Sequence, residues 1–467
     1  MGVFGGPPKH VFDATILREY DIRGVVDSTL HQADAHALGL AFAVLLKESG
    51  GHRAAVGRDG RLSSPALEGA LIEGLTESGI DVTDVGLGPT PMLYFATRTL
   101  EVDGGVMVTG SHNPPTHNGF KMTLGKRSLF GDDIQLLGRV AAEGRFVATG
   151  GGRVASRDIR DEYTARLLAD FDEGRSLRVA WDAGNGATGE ILERLTSNLR
   201  GEHILLNSSI DGNFPVHHPD PTEPENLRQL QDAVLSRNLD LGIAFDGDGD
   251  RIGVVAGDGN ILWGDQLLTI LAGQVLATHP GAEIIADVKA SQVFFDEVSR
   301  MGGRPLMWRT GHSLIKTKMA ETGAPLAGEM SGHIFYADRY YGYDDALYAA
   351  IRLLGVLSQG QESLAAMRAR LPSVVNTPEM RIPCADTRKF AVVDEVRKRL
   401  KERGAQVSDI DGVRVSAEGG WWLLRASNTQ AVLVARIEAA DQRRLERLRS
   451  QLAQELNRSG VTLPEIA

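Results

Sequence analysis

The chain has 467 residues, 42% hydrophobic and 24% charged, an ordinary globular composition long enough for three or four domains. Its net charge of −11 and pI near 5.6 argue against general binding to nucleic acid or an anionic membrane, since either needs a basic face. A single cysteine, Cys384, rules out an internal disulfide framework, and no run reaches the roughly 18 apolar residues of a membrane helix.

The opening stretch, "MGVFGGPPKHVFDATILREYDIRG", lacks the long apolar run of a signal peptide, so a cytoplasmic location is expected. Cys384 reads as a core or strand residue. Short β-branched runs then alternate with amphipathic helical stretches, which indicates α/β layers. A strand, a polar or glycine-containing loop and a helix recur three times, in "AAVGRDGRLSSPALEGALIEGL", "RVAWDAGNGATGEILERL" and "IIADVKASQVFFDEV". Each is followed some tens of residues later by a second strand ending in a special loop: "VMVTGSHNP", "GIAFDGDGDR" and "PLAGEMSGH". The pattern predicts three structurally related α/β units.

Residues 148–158 read as a glycine-rich hinge. "VVAGDGNILWGD" reads as a hairpin around Asp258-Gly259-Asn260, with Asp265 capping the next helix. "ARLPSVVNTPEMRIP", with three prolines and no helical period, reads as a linker. The remaining C-terminal stretch predicts an α+β domain with paired strands. The expected division is 1–153, 154–260, 261–372 and 373–467.

The sharpest chemical signal is "FDGDGDRIG". Asp246, Asp248 and Asp250 repel one another and call for a countercharge, most simply a divalent cation with oxygen ligands. Gly247 and Gly249 let the backbone curl so that the three converge. A solvated acidic turn is the bland alternative, but apolar strands enter and leave the loop. An EF-hand fails, because its sixth position is Arg251 and its twelfth Gly257.

"VMVTGSHNPPTHNGFKM" places Ser111 at a strand end. His112 and Asn113 can orient groups around it, Pro114 and Pro115 stiffen the loop, and Asn118, Gly119 and Lys121 return it. A serine alone is a weak nucleophile, but beside a divalent ion it could carry a phosphoryl group. "RASNTQ" sets Arg425, Ser427, Asn428 and Thr429 in a turn between strands, a donor arc suited to a phosphate dianion. A polar hairpin turn accounts for that segment about as well. "GEMSGH" offers Glu329, Ser331 and His333 to sugar hydroxyls, and "WRTGHSLIK" offers Arg309, His312 and Lys316. "DAGNGATG" formally matches a dinucleotide loop through Gly184, Gly186 and Gly189. The next strand ends in Asn207 rather than an acid, so a structural turn is expected. No P-loop is present.

Together these loops resemble the α-D-phosphohexomutase superfamily, and within it the bacterial phosphomannomutase/phosphoglucomutase branch. The resemblance covers nearly the whole chain. It runs through "YDIRG", "TGSHNPPTHNGFK", "HHPDPTEPENL", "DGDGDR", "GEMSGH" and "RASNT", in that family's order. It implies α/β architecture, with three related α/β domains plus a C-terminal α+β domain around a central active-site cleft.

The resemblance further implies interconversion of hexose 1-phosphate and hexose 6-phosphate through a phosphoserine and a bisphosphorylated sugar. Ser111 would be the phosphoserine. Asp246, Asp248, Asp250 and a phosphoserine oxygen would hold Mg²⁺. His112, Lys121, Arg251, His312 and His333 would join Ser111 in the chemistry, with Lys121, His312 and His333 the candidates for proton transfer. Tyr20, Arg23, Lys289, Arg309, Glu329, Ser331, His333, Arg425, Ser427, Asn428 and Thr429 would bind substrate. Glu329 and Ser331 would read sugar hydroxyls, and the last four would clamp the non-reacting phosphate.

The expected cofactors are Mg²⁺ and hexose 1,6-bisphosphate, and the expected partners are small sugar phosphates, for a monomer or weak homo-oligomer. Two departures stand out: Ala431 where a proline often follows the phosphate turn, and Gly110 for the superfamily's common alanine. Phosphoglucosamine mutase is the competing enzyme, disfavoured by Met330, where that branch typically has Gln. A silent sugar-phosphate binder is the competing non-enzyme, disfavoured by intact Ser111, the three aspartates and Arg425.

Overall fold

The computed structural model describes residues 9–146, 150–428 and 430–464. They form four sheets in chain order. In the first, the central strand Arg53–Arg58 runs parallel to Asp81–Leu87 and to Gly104–Val108, and the latter pairs antiparallel with His117–Leu124. In the second, Leu177–Asp182 runs parallel to Gly201–Leu206 and Leu241–Phe245, and the latter pairs antiparallel with Ile252–Ala256. In the third, Glu283–Asp287 runs parallel to Arg304–Trp308 and Leu326–Gly328, and the latter pairs antiparallel with Ile334–Tyr336. The three units therefore share one strand order, as the recurring pattern predicted.

This topology places the chemistry. In each unit the link from the last parallel strand to its antiparallel neighbour is one of the special loops. The first holds Ser111, the second Asp246 to Arg251, and the third Glu329 to His333. The feeding strands Gly104–Val108, Leu241–Phe245 and Leu326–Gly328 are buried along their whole length. Such strands, covered on both faces, read as continuous apolar runs rather than alternating ones. The loops are consequently aimed from a rigid base.

The last unit is an antiparallel meander of Val413–Ala417, Gly420–Ala426 and Val432–Ala439. Helices Asp386–Glu402 and Gln442–Arg458 cover one face. Strand alternation sends Trp422 into that core and Trp421 to the other face, where it packs on Val288 beside the third unit. Cys384 is half-buried against the same core, just after the strand Met380–Pro383.

Several local expectations are corrected. The strand Val154–Ser156 pairs with Asp81–Leu87, so the expected hinge at 148–158 includes part of the first sheet; residues 147–149 lie outside the described residues. Ile261–Leu262 belongs to the second sheet, beyond the cut expected after 260. The proline-rich linker contains strands Val375–Asn376 and Met380–Pro383 of the last sheet; Pro372 and Pro378 fall outside them, and Pro383 ends an edge strand. Asp265 is not the cap of helix Gly264–Thr278. It sits in the first turn and accepts from the Ser291 N–H at 2.9 Å, tying two helix starts together. The hairpin at Asp258-Gly259-Asn260 is present, with Gly259 at φ +80°.

Candidate active site

Asp246, Asp248 and Asp250 are all fully buried, so the solvated-turn alternative falls. Their carboxylate oxygens lie within 4.8 Å of one another. Asp246 Oδ1 accepts from the backbone N–H groups of Gly249, Asp250 and Arg251 at 3.0–3.1 Å, which closes the turn. Burial, with Asp248 and Asp250 adding to it, pushes the Asp246 carboxyl well above the usual range. Burial acts the same way on Asp248 and Asp250, but there the Lys121 ammonium outweighs it and holds both low. Lys121 Nζ reaches Asp248 Oδ2 at 2.7 Å and also contacts Asp250. Thr90 Oγ1 donates to the same Asp248 oxygen at 2.5 Å.

Ser111 sits against this cluster and is itself buried. Its Oγ donates to Asp246 Oδ2 at 2.9 Å, and His112 Nδ1 lies 3.2 Å away. Gly247 must be glycine here. A Cβ at that position would lie 2.4 Å from the Ser111 carbonyl oxygen. Burial, then the charges of Arg251 and Arg23, keep His112 well below the usual imidazole range, hence neutral. Gly186, from the formal dinucleotide motif, packs under Gly247, and the Ala187 N–H donates to the Gly247 carbonyl at 2.9 Å. That motif is a structural buttress, as expected.

The third unit supplies the opposite wall. His333 Nδ1 is 2.9 Å from Glu329 Oε2 and its Nε2 is 3.3 Å from Asp250 Oδ1. Burial works against the imidazolium, but these carboxylates prevail and push His333 up to about 9. Ser331 Oγ lies 3.0 Å from His333 Nδ1. The His312 ring stacks on His333, with centroids 5.6 Å apart. Burial and Lys316 hold His312 below its ordinary value, although Asp344 lies 3.3 Å away. Glu329 accepts from the Gly311 N–H at 2.7 Å; despite burial, His333 and Lys289 hold it down at about 2.

Around the rim, Arg23 donates to Asn113 Oδ1 at 3.1 Å and pairs with Asp21. Tyr20 Oη donates to the Thr310 carbonyl and accepts from Asn428 Nδ2, both at 2.8 Å, so three units meet at one hydroxyl. Burial pushes that phenol up to about 12. Arg425 pairs with Asp411 at 3.1 Å, and Lys289 with Glu379 at 3.2 Å. Ser427 is buried in the same turn. Thr429 lies outside the described residues. Arg309 and Asn428 line a cavity of about 880 Å³ at the junction of the first, third and last units.

The structure thus gathers Ser111, His112, Lys121, the three aspartates, Arg251, Glu329, Ser331, His312 and His333 into one centre. Tyr20, Lys289, Arg425, Ser427 and Asn428 stand around the last unit's edge, and Arg309 faces the adjoining cavity. Sequence reasoning missed Asp59 and Arg61, Thr90, Asp287, Asp344, Glu379 and Asp411. Asp59 and Arg61 lay inside the first recurring segment, at its strand-to-helix loop, and that position was their available signal. Among the described residues, no helix is long and apolar enough to cross a membrane.

A serine aimed at three convergent carboxylates, with the cleft walled by repeated α/β units, defines a class of phosphoryl-transferring enzyme. Models of the phosphoglucomutase/phosphomannomutase α/β/α domains I, II and III match residues 14–137, 161–259 and 263–374, and that of the C-terminal domain matches 379–455. The chain belongs to this phosphoglucomutase/phosphomannomutase family. It is 46% identical to a phosphomannomutase/phosphoglucomutase of Pseudomonas aeruginosa, over 97% of each chain. It is 44% identical to a phosphoglucomutase of Neisseria meningitidis, covering 93% of this chain and 95% of that one. A solved phosphoglucomutase/phosphomannomutase family protein from Burkholderia thailandensis superposes with a TM-score of 0.92 at 44% identity, over 97% of this chain and all of the other.

Proposed function

We propose that the protein interconverts hexose 1-phosphate and hexose 6-phosphate, with mannose or glucose as the sugar and Ser111 as the phosphoryl carrier. The observation that carries this reading is the 2.9 Å contact of Ser111 Oγ with a fully buried three-carboxylate cluster. Asp248 Oδ1 is buried without a hydrogen-bond partner, as an oxygen suited to a cation would be, and Asp250 Oδ1 meets only His333 Nε2, at 3.3 Å. Asp246, Asp248 and Asp250, with an oxygen of phosphorylated Ser111, would hold Mg²⁺. When bound it neutralises charge on the transferring phosphoryl group.

The chain's own residues do the rest. A sugar hydroxyl attacks the phosphorus on Ser111; the new O–P bond forms as the Ser111 Oγ–P bond breaks, and the hydroxyl proton leaves to a nearby base. Lys121, His312 and His333 border the centre: His312, held low, is the one to take it, and the protonated Lys121 and His333 are placed to return one. The resulting hexose 1,6-bisphosphate turns over, and its other phosphate returns to Ser111. Positioning and charge neutralisation supply most of the acceleration in such transfers. Glu329 and Ser331 present oxygens to the sugar. Arg425, Ser427, Asn428 and Lys289 hold the non-reacting phosphate, which takes over from Asp411 and Glu379 as the partner of the two cations. Small sugar phosphates are the partners, and a cytoplasmic monomer or weak homo-oligomer suffices.

A coupled mutase assay with mannose 1-phosphate, glucose 1-phosphate and glucosamine 1-phosphate tests the reading. Turnover of either neutral sugar supports it. Efficient turnover of the amino sugar alone overturns the substrate assignment, and turnover of none overturns the activity.

A further inference from the structure

Arg61 is 1% exposed, yet every N–H of its guanidinium has an acceptor. Nε donates to Asp59 Oδ2 at 3.1 Å. Nη1 donates to the carbonyls of Pro114 and His117 at 2.6 and 3.0 Å. Nη2 donates to the carbonyls of Ser111 and Asn113 at 2.7 and 2.6 Å. Five donors are thus used, and four of them end on the backbone of residues 111–117, the loop that carries Ser111 and the first residue of the strand after it.

That loop needs holding. Ser111 has φ +49°, a left-handed conformation that non-glycine residues adopt reluctantly. The Asp59 carboxylate also accepts from the Gly110 N–H at 3.1 Å, immediately before it. A Cβ at Gly110 would lie 2.5 Å from Arg61 Nε, which accounts for the glycine at this site. From the second unit, the Phe214 ring sits 5.1 Å from the guanidinium carbon. A general stabilising role would be met by apolar packing. A rigid planar fork whose four terminal N–H groups all go to carbonyls of one short segment serves geometry.

We infer that Arg61, oriented by Asp59, is a positioning residue that holds Ser111 in its left-handed conformation and aims Oγ at the acidic cluster. This rests on the function proposed for the site. Misplacement of a reacting group by about 1 Å costs on the order of 10²-fold in rate.

The test compares wild type, Arg61→Ala, Arg61→Lys and Asp59→Asn in the mutase assay and by amide hydrogen exchange. In Arg61→Ala, kcat falls about 10²-fold while KM for glucose 1-phosphate stays within about threefold. Arg61→Lys, with three donors for four carbonyls, falls between wild type and alanine. Asp59→Asn, which keeps the arginine, shows a smaller loss in the same direction. Amide exchange over 110–117 accelerates at least tenfold in each variant, while strands Gly104–Val108 and His117–Leu124 keep their protection in residues beyond the loop. Unchanged kcat, or a loss shared equally by KM, overturns the inference. Should wild type itself lack mutase activity, the parent reading fails, and exchange alone decides: unchanged exchange in the loop overturns the positioning role, and selective acceleration upholds it. Should Arg61→Ala not fold, the lysine and Asp59→Asn variants carry the same comparison.

Discussion

The loop Asp246 to Arg251 and the turn after Gly420–Ala426 both end a strand and both hold charged groups over the cleft, but they are secured differently. In the first, three backbone N–H groups converge on one carboxylate oxygen, and the Lys121 ammonium bridges two more acids. In the second, Arg425 leans on Asp411 and Asn428 on Tyr20, partners from other loops. Under the proposed mechanism, transfer needs a fixed distance between serine and acids, and that half is tied by short-range bonds from backbone N–H groups. Holding a phosphate that arrives and departs would need contacts that can exchange, and there the charged groups are held by side-chain pairs. A charge pair can be swapped for a better one, whereas a buried backbone turn cannot be undone without orphaning its N–H groups.

The largest test removes the carrier. Ser111→Ala loses at least about 10³-fold in turnover with the fold intact, because no covalent phosphoryl store remains. Intact-mass measurement of the wild type shows partial phosphorylation mapping to Ser111, and full activity in the variant would sink the assignment. Next comes the cation's side. Asp248→Asn cuts kcat by about 10²-fold and leaves sugar-phosphate binding nearly unchanged. EDTA inhibits the wild type and Mg²⁺ restores it; indifference to both contradicts a metal here.

On the exchangeable side the effect moves to binding. Arg425→Ala raises KM for mannose 1-phosphate and glucose 1-phosphate by similar factors. The loss is about one to two decades in kcat/KM, or roughly 1.5–3 kcal/mol, as for one charge-assisted contact. Steady-state kinetics on both sugars checks this. A fall in kcat alone would erase the distinction between the two halves.

The smallest effect is on stability. Burial, with Glu329 adding to it and Lys289 opposing, pushes the Asp287 carboxyl up to about 6. The folded state therefore binds this proton more tightly than the unfolded chain does. Stability from this group is present at low pH and is lost as pH rises from about 4 to about 6. Relative to Asp287→Asn, the wild type weakens across that window by on the order of 1–3 kcal/mol, and the difference is constant above it. Urea midpoints at closely spaced pH values measure it, and a flat difference would show that Asp287 ionises freely.

Much of this site was legible in the chain because its reacting groups are local. The spacing of Asp246, Asp248 and Asp250 with intervening glycines specifies a convergent turn within five residues. Ser111 stands out because an apolar strand runs straight into its loop. The recurring segments predicted three related units, and the shared strand order matches them. What was not legible depends on partners far along the chain. Arg61 meets carbonyls 50 residues or more away, Lys289 meets Glu379 at a separation of 90, and Tyr20 meets Asn428 at a separation of 408. The hinge at 148–158 and the proline linker look like loops in the sequence because a short edge strand has no periodicity of its own. Only the neighbour it pairs with makes it a strand.

By itself, then, the sequence determined the element types, the repeat and the residues at each strand end, since period, glycine and turn chemistry act over a few residues. The tertiary structure alone decided which groups are charged and which are held. His312 and His333 are the same side chain, and each has a charged residue four positions away, Lys316 and Glu329, so local sequence separates them only in part. Burial is common to both. The balance beyond it differs: Lys316 beside His312 disfavours its proton, whereas Asp250 and Glu329 beside His333 retain it to about 9. Asp250 comes from another loop, 83 residues away, and charge interacts through space rather than along the chain.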